Sequence, residues 1–201
     1  MVSTEPSAAQ PATESPAPEP APPVSGRRRI RLLAFTAITI LALDLVTKVV
    51  AVATLSPQNP VRVPGGFVEL RLLRNPGAAF SLATGMTWLL SLVALAVVVV
   101  IVRMARRLHS PGWALGLGLV LGGSLGNLVD RLFRSPGPLR GQVVDFVALV
   151  NDGRSIWPVF NVADPSIVIG GALLVVLAFL GREPDGTRHS GSRRRRADTD
   201  A

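Results

Sequence analysis

The chain has 201 residues and no cysteine, and its 21 Lys and Arg against 13 Asp and Glu give a formal net charge of +8. The lack of cysteine excludes disulfides, thiolate metal sites and a cysteine nucleophile. Only 17% of the residues are charged, where soluble domains carry about 25%, and 48% are hydrophobic. This composition indicates a membrane protein.

Histidine is also scarce, since His109 and His189 both lie in Arg-rich polar segments. We therefore expect neither a histidine metal site nor a Ser-His-Asp triad, and no cofactor. The positive charge is not arranged as a basic face with interleaved aromatic residues, so nucleic acid is not an expected partner.

The chain begins with a segment rich in Pro, Ala, Ser and Glu, residues 1–26, which is predicted to be a disordered extension. Four hydrophobic runs follow, each near the ~20 residues that cross a bilayer core. They cover residues 32–55, 88–101, 113–132 and 166–180, the last being short unless it starts at Asp164. The sequence predicts an all-α membrane protein with four transmembrane helices in residues 27–181, and a basic disordered tail in residues 182–201.

The distribution of basic residues predicts the topology. Residues 27–31, the turn after the second run and the C-terminal tail carry 13 Arg, whereas the two long loops carry 7. The excess places both termini in the cytoplasm and both long loops outside. Alternatively, the first run could be a signal peptide cleaved near Ala51-Val52-Ala53, but the long leader and the charges at Asp44 and Lys48 disfavour that interpretation.

The two outer loops contain strand-like patterns. Residues 61–74 alternate in part between apolar and charged side chains and include a Pro64-Gly65-Gly66 turn, which predicts a short hairpin. A second strand-like stretch lies at residues 143–147. Backbone with open edges cannot face lipid, so we expect a small extracytoplasmic β element and a loop arm at the interface or lining a cavity.

Several polar residues in apolar surroundings need an explanation, because ionisable groups in a membrane are usually functional. Asp44 and Lys48 are four residues apart and can form an ion pair that clamps a helix, or Asp44 can orient a group near the outer end of the first span. Asn75, in an Asn-Pro-Gly sequence, either forms an ordinary turn or donates a side-chain hydrogen bond into a site.

At the end of the third run, Gly122 and Gly126 predict a close helix contact. Asn127 and Arg131 share a helical face beside Asp130. They could snorkel at the interface, or the guanidinium could bind a lipid phosphate or a substrate carbonyl.

Two further carboxylates are the most informative. Asp145 lies within an apolar strand-like run, and Asp164-Pro165 predicts a helix N-cap followed by the first helical residue. Without His, Cys or a metal motif, the simplest hydrolytic arrangement is a pair of aspartates that share a proton.

Spacing alone does not select the pair from Asp130, Asp145, Asp152 and Asp164. Asp130 is expected to be neutralised by the adjacent Arg131, and Asp152 precedes a glycine as in a turn. The Asp145 and Asp164 pair is therefore favoured.

Taken together and in order, five segments resemble the lipoprotein signal peptidase (signal peptidase II) family of bacterial intramembrane aspartic proteases. The segments are DLVTK at 44–48, NPGAAFS at 75–81, GGSLGNLVDR at 122–131, VVDF at 143–146 and FNVAD at 160–164. The resemblance covers about residues 30 to 181.

The resemblance implies an endopeptidase that removes signal peptides from prolipoproteins, N-terminal to a diacylglyceryl-modified cysteine, and that globomycin inhibits. It maps the catalytic pair to Asp145 and Asp164, with the active site toward the outer face of the cell membrane. By the same resemblance, Asn75 and Asn161 support the pair, and Asn127 and Arg131 contact substrate or inhibitor. Asp44 matches a further polar position of the family, and Asp130 is counted among the supporting residues. The implied partners are prolipoproteins and membrane lipid, and the sequence does not indicate an oligomeric state.

Three positions depart from the family pattern: Leu45 replaces a residue that is often polar, Pro165 replaces a common Ser, and residues 134–140 lengthen the segment before Asp145, as a surface loop insertion would. The alternative function is a non-enzymatic small transporter or lipid-binding scaffold with an aspartate relay. That alternative predicts ionisable residues near the bilayer midplane on several helices, whereas only Asp44 and Lys48 lie well inside a run.

Overall fold

The computed structural model describes residues 25–77 and 87–188, and the described chain folds into four helices and four short strands. The helices are α1 (Ser25–Thr54), α2 (Thr87–Ala105), α3 (Pro111–Phe133) and α4 (Ala163–Phe179). The strands are β1 (Val61–Arg62), β2 (Val68–Asn75), β3 (Val143–Asn151) and β4 (Arg154–Ser155). Nearly all of the predicted N-terminal extension, residues 78–81 of the NPGAAFS segment and the Arg-rich end of the tail lie outside the described residues.

Helix α3 is the centre of the bundle and packs against α1, α2 and α4. Its glycines allow this close approach. A Cβ atom at Gly122 would lie 2.7 Å from the carbonyl oxygen of Ala37 on α1, and one at Gly123 would lie 2.6 Å from the carbonyl oxygen of Ala163 on α4. The close helix contact predicted at Gly122 and Gly126 is therefore confirmed, since a Cβ atom at Gly126 would overlap the Asp44 carboxylate on α1.

The helices expose apolar side chains and bury charged ones. Phe35 on α1 is 71% exposed and Val168 on α4 is 70% exposed, whereas Asp44 and Lys48 are fully buried. This arrangement is the reverse of a soluble bundle and suits a lipid environment.

Within the described residues, three helices are long and apolar enough to cross a membrane, namely α1 with 28 residues from Arg27, α2 with 19 and α3 with 23. Helix α4 has 17 residues, which at 1.5 Å per residue is about 25 Å, against a hydrocarbon core of about 30 Å. A fourth crossing therefore stays a prediction.

The strands form an antiparallel sheet in the order β1-β2-β3-β4. The predicted hairpin is confirmed: β1 pairs with β2, and Gly66 N–H donates to the Val63 carbonyl at 3.1 Å. The turn predicted at Asp152 is also confirmed, since Asp152 and Gly153 have φ values of 48° and 74° between β3 and β4. The pairing of β2 with β3 joins the two outer loops to each other.

The β2–β3 register sets the position of the polar residues at the end of each strand. The pairing shifts between Leu70 and Leu73, so that Leu73 lies opposite Asp145 and Asn75 lies opposite Val143. A further bridge, between Val147 and Phe160, ties β3 to the segment that precedes α4. The sheet thereby carries residues from both loops to the same end of the bundle.

The Arg-rich segments meet at the opposite end. The Arg29 Nε atom donates to the His109 carbonyl at 3.2 Å, and the Trp113 indole donates to the Arg182 carbonyl at 2.8 Å. Residues 182–188 of the predicted tail form a turn whose Pro184 carbonyl accepts from the His109 and Ser110 N–H groups at 2.9 and 3.0 Å. The start of α1, the α2–α3 turn and the segment after α4 therefore share one end.

The 134–140 loop is largely exposed, as a surface insertion would be, but it is anchored at both ends. Arg134 pairs with Asp130, and the buried Ser91 hydroxyl on α2 donates to the Leu139 carbonyl at 2.7 Å. These contacts hold the chain that leads into β3 close to the bundle.

Candidate active site

A cavity of about 490 Å³ opens between the sheet and the ends of α2, α3 and α4 that lie beside it. Five candidate site residues from the sequence line it, namely Asn75, Asn127, Arg131, Asp145 and Asp164, together with Phe160. The remaining wall is largely apolar. The two favoured carboxylates thus open into one space.

Asp145 lies on β3 and is only 2% exposed. Asn75 Nδ2 donates to one of its carboxylate oxygens at 2.8 Å, and Asn161 Nδ2 donates to the other at 2.7 Å. Burial raises the pKa of Asp145 to about 6; the hydrogen bond from Asn75 opposes this shift, and the nearby charge of Asp164 adds to it. Asp145 therefore keeps its proton to a higher pH than an exposed aspartate does.

Asp164 lies in the first turn of α4, and its predicted role as N-cap is wrong. Helical geometry already begins at Val162, with φ −70° and ψ −30°. The Asn161 side-chain oxygen accepts from the N–H groups of Ala163 and Asp164 at 2.8 and 3.3 Å, while Asp164 Oδ2 accepts from the Asn161 N–H at 3.0 Å.

This reciprocal arrangement is a capping box, in which Asn161 caps the helix and the acidic residue three positions on returns the bond. Pro165 is consequently not the first helical residue, because the helix begins at Ala163. The capping box holds the Asp164 carboxylate close to the Asn161 side chain.

Asn161 connects the two carboxylates. Its side-chain Nδ2 donates to Asp145, and its backbone N–H donates to Asp164. Since Asn161 is 1% exposed, both bonds form away from solvent, where they are strong. The residue expected to support the pair therefore contacts both of its members.

Asn127 holds the second oxygen of Asp164. Its Nδ2 donates to Asp164 Oδ1 at 3.0 Å, and its Oδ1 accepts from Lys48 Nζ at 3.0 Å and from Asn161 Nδ2 at 3.2 Å. An ammonium group can only donate, so the Lys48 contact requires the amide oxygen on its side. The amide nitrogen must then face Asp164.

Lys48 is the hub of a buried ionic cluster. Its Nζ atom lies 2.6 Å from Asp44 Oδ2 and 3.0 Å from Asp130 Oδ2. The ion pair predicted between Asp44 and Lys48 is confirmed. The Asp44 carboxylate also accepts from the Ala163 N–H at 3.0 Å, so it ties α1 to the start of α4.

The expected pairing of Asp130 with Arg131 is wrong. Asp130 pairs with Lys48 and Arg134, and it accepts from the Val144 N–H at 3.2 Å. Adjacent residues on a helix point about 100° apart, whereas Arg134 lies one turn further along the same face. Asp130 therefore holds β3 against α3, and Arg131 is left facing the cavity.

Arg131 and Asn127 line the cavity together, as their spacing predicts. Arg131 Nη1 donates to the Asn127 carbonyl at 3.4 Å, and its Nε is buried without a hydrogen-bond partner among the described residues. A buried donor without a partner is costly, so the guanidinium is suited to binding a ligand oxygen.

The charges around the cavity nearly cancel. Counting each as ionised, the ion pairs of Lys48 and Asp130 together with the cavity residues comprise three cations and four carboxylates, namely Lys48, Arg131 and Arg134 against Asp44, Asp130, Asp145 and Asp164, while the sheet carries further charges such as Arg71 and Arg74. The count balances when one carboxyl is protonated, and a balanced count suits a buried cluster.

Sequence reasoning missed part of the site. Lys48 was assigned only to an ion pair, yet it also orients Asn127. Trp157 was not among the candidate site residues, but it lines the cavity beside Pro158 and Val159. The proximity of Trp157 to the FNVAD segment was the available signal. Asp152 lies in the exposed β3–β4 turn and is not among the residues lining this cavity.

Comparisons with known proteins identify the family of this chain. A family model described as signal peptidase (SPase) II matches residues 36–180. The lipoprotein signal peptidase of Rhodococcus jostii is 60% identical over 169 residues, covering 84% of this chain and 82% of that protein. The lipoprotein signal peptidase of Mycobacterium avium is 56% identical over 186 residues, covering 92% and 95%.

The fold also has counterparts among solved structures. A bacterial membrane enzyme superposes with a TM-score of 0.65 at 25% sequence identity, covering 75% of this chain and 88% of that one. A second structure of a bacterial membrane enzyme gives a TM-score of 0.64 at 26% identity, covering 77% and 96%. The chain therefore belongs to the signal peptidase II family of membrane proteases.

Proposed function

We propose that the chain is an aspartic endopeptidase that removes the signal peptides of prolipoproteins by cleaving N-terminal to a diacylglyceryl-modified cysteine. Asp145 and Asp164 are the catalytic residues. The observation that carries this proposal is the double contact of Asn161, which donates to both carboxylates in one cavity. The family membership supplies the peptidase activity, and its relatives are named for lipoprotein processing.

The protons move in a closed cycle. Asp164 is ionised and takes a proton from the attacking water, while Asp145 gives its proton to the oxygen of the scissile carbonyl. The water oxygen bonds to the carbonyl carbon and forms a tetrahedral diol. In the second step Asp145 takes back a proton from the diol, Asp164 protonates the leaving nitrogen, and the C–N bond breaks.

The assignment of these roles follows from the surroundings. Burial favours the protonated form of Asp145. Asp164 accepts two N–H donors, from Asn127 and from the Asn161 backbone, which fix its carboxylate in the cavity as the base. The two carboxyls form a coupled pair, so the pH dependence of the reaction describes the pair and not either residue alone.

The neighbouring residues position the catalytic pair or bind the substrate. Asn75 and Asn161 position Asp145, and Asn127 positions Asp164. Arg131 binds a substrate oxygen through its free Nε. Asp44 and Asp130 hold Lys48, whose direct hydrogen bond toward the catalytic pair runs through Asn127.

The proposed topology has four crossings, with both termini in the cytoplasm and the active site toward the outer face of the cell membrane. It is supported by the excess of Arg in the segments that meet at the end opposite the sheet. In this layout residues 27–181 form the membrane peptidase domain, between an N-terminal extension and a basic cytoplasmic tail. A transporter with an aspartate relay is disfavoured, because the carboxylates cluster at one end of the bundle.

The test is cleavage of a synthetic precursor peptide by the purified protein. A peptide with a diacylglyceryl-modified cysteine should be cut on the N-terminal side of that cysteine, and globomycin should block the reaction. The matched control is the same peptide without the lipid, which should remain intact. Cleavage of both peptides at equal rates, or an intact lipidated peptide, would contradict the proposed substrate.

A further inference from the structure

A second cavity lies beside the first, further along the helices toward the Arg-rich end. It has a volume of about 450 Å³, and its lining residues are all hydrophobic. They come from three helices and include Val93, Val97 and Val100 on α2, Leu117 and Val120 on α3, and Leu174 on α4. The proposed reaction does not use this cavity.

The two cavities follow the same faces of α2 and α3. Leu90 lines the active-site cavity, and Val93 and Val97 line the second cavity three and seven residues later on α2. On α3, Asn127 lines the first cavity and Val120, seven residues earlier, lines the second. Spacings of three, four and seven residues keep side chains on one face of a helix.

Helix α4 contributes residues to both cavities in the same way. Asp164 and Ile167 line the first cavity and Leu174 lines the second. Gly171 lies between them, four residues after Ile167, and a Cβ atom placed on it would meet nothing within 4 Å. The two cavities therefore lie in line along the same faces of α2, α3 and α4, and we call this line, with α3 as its floor and α2 and α4 as its walls, the α2–α4 groove.

We infer that the α2–α4 groove binds one acyl chain of the lipidated cysteine of the substrate. The inference rests on the proposed function, which supplies a substrate with acyl chains attached next to the scissile bond. The groove starts at the carboxylates and continues into apolar surroundings. A chain attached to the cysteine can therefore enter it while the peptide bond stays at Asp145 and Asp164.

The dimensions fit an acyl chain better than a peptide helix. From Leu90 to Val100 the groove runs ten residues along α2, or about 15 Å, which matches one leaflet of a hydrocarbon core of about 30 Å. A helix of that length and ~10 Å in diameter would occupy roughly 1,200 Å³. The second cavity, at about 450 Å³, holds only a fraction of that volume.

The experiment narrows the groove by a substitution and varies the length of the acyl chains on the substrate. Leucine at Gly171 would project into open space, and Gly171 lies seven residues, roughly 10 Å, from Asp164 along α4. The substrates are precursor peptides with a dioctanoyl or a dipalmitoyl cysteine. Gly171→Leu should lower kcat/KM for the dipalmitoyl peptide about tenfold, because a chain that cannot enter displaces the scissile bond, and should leave the dioctanoyl peptide within about threefold of wild type.

The matched control is Ala172→Leu, at the next, exposed position on the same helix. It should leave the ratio of the two substrates unchanged. An unchanged ratio of the two substrates in Gly171→Leu would overturn the inference. This result is expected if bilayer phospholipid fills the groove, because both substrates would then change by the same factor. Failure of the wild-type protein to cut either peptide would instead overturn the proposed function.

A second variant covers the case in which Gly171→Leu does not fold. Val97→Phe narrows the same groove from α2 and leaves α4 intact. A selective loss of the dipalmitoyl peptide in this variant supports acyl-chain binding in the groove. A ratio equal to that of wild type contradicts it.

Discussion

The ammonium group of Lys48 donates to the Oδ1 atom of Asn127 at 3.0 Å, and this contact orients the amide that holds Asp164. With its oxygen toward Lys48, Asn127 presents Nδ2 to Asp164 Oδ1, also at 3.0 Å. A buried lysine on the first helix is therefore linked to a proposed catalytic carboxylate on the fourth through a single side chain.

Replacing Lys48 with methionine should lower both activity and stability. Asp44 and Asp130 would lose a buried partner, and breaking a buried ion pair typically costs about 3–5 kcal/mol. The Asn127 amide would also lose the contact that sets its orientation. Thermal unfolding in detergent and peptide cleavage measure the two effects. In the double variant Lys48→Met with Asp44→Asn, part of the stability should return while the activity stays low; full recovery of activity would contradict an orienting role for Lys48.

Replacing Asn75 with alanine should shift the pH dependence of cleavage to higher pH. Asn75 donates to the Asp145 carboxylate and so lowers its pKa, which burial has raised to about 6. Without that donor the pKa of Asp145 rises further, and the shared proton is lost only at higher pH. The alkaline limb of a plot of kcat/KM against pH gives the pKa at which this proton is lost. A limb that moves to lower pH would show that Asn75 does not stabilise the ionised form.

Asp145 should also make stability depend on pH. Its pKa in the folded protein, about 6, lies above the ordinary value of 3.8, so its contribution is fully present below pH 3.8 and is lost as the pH rises through 6. The wild type should therefore lose stability relative to Asp145→Asn between pH 4 and pH 7, by on the order of 2 kcal/mol. Thermal unfolding of both proteins across this pH range measures the difference in their stability. A difference that does not change with pH would refute the raised pKa of Asp145.

Gly126 should be intolerant of any side chain. A Cβ atom there would overlap the Asp44 carboxylate, whereas one at Gly171 would meet nothing within 4 Å. We expect Gly126→Ala to destabilise the protein by about 1–3 kcal/mol through overpacking, and the matched variant Gly171→Ala to be neutral or mildly stabilising. Unfolding temperatures compare the two directly. Equal effects would mean that Asp44 does not pack tightly against α3.

Much of this architecture could be predicted from local sequence patterns. Hydrophobic runs located the helices, a Pro-Gly-Gly turn located the β1–β2 hairpin, and the four-residue spacing of Asp44 and Lys48 predicted their ion pair. Each of these features depends on residues close together in the chain, where helical and strand periodicity apply.

The errors concern contacts that depend on the tertiary fold. The partners of Asp130 could not be chosen until the side-chain directions of Lys48, Arg131 and Arg134 were known. The pairing of β2 with β3 joins loops about 70 residues apart, as the contact between Asn75 and Asp145 illustrates. The error at Asp164 is local instead: Asn161, three residues earlier, is the residue that caps the helix.

The most direct test of the proposed mechanism compares three single substitutions of the same type. Asp145→Asn and Asp164→Asn each remove one member of the catalytic pair, and Asp152→Asn alters an exposed carboxylate in the β3–β4 turn. We predict that cleavage of the lipidated precursor falls by at least about 10³-fold in the first two variants and stays near wild type in the third. Near wild-type turnover in folded Asp145→Asn or Asp164→Asn protein would contradict the account.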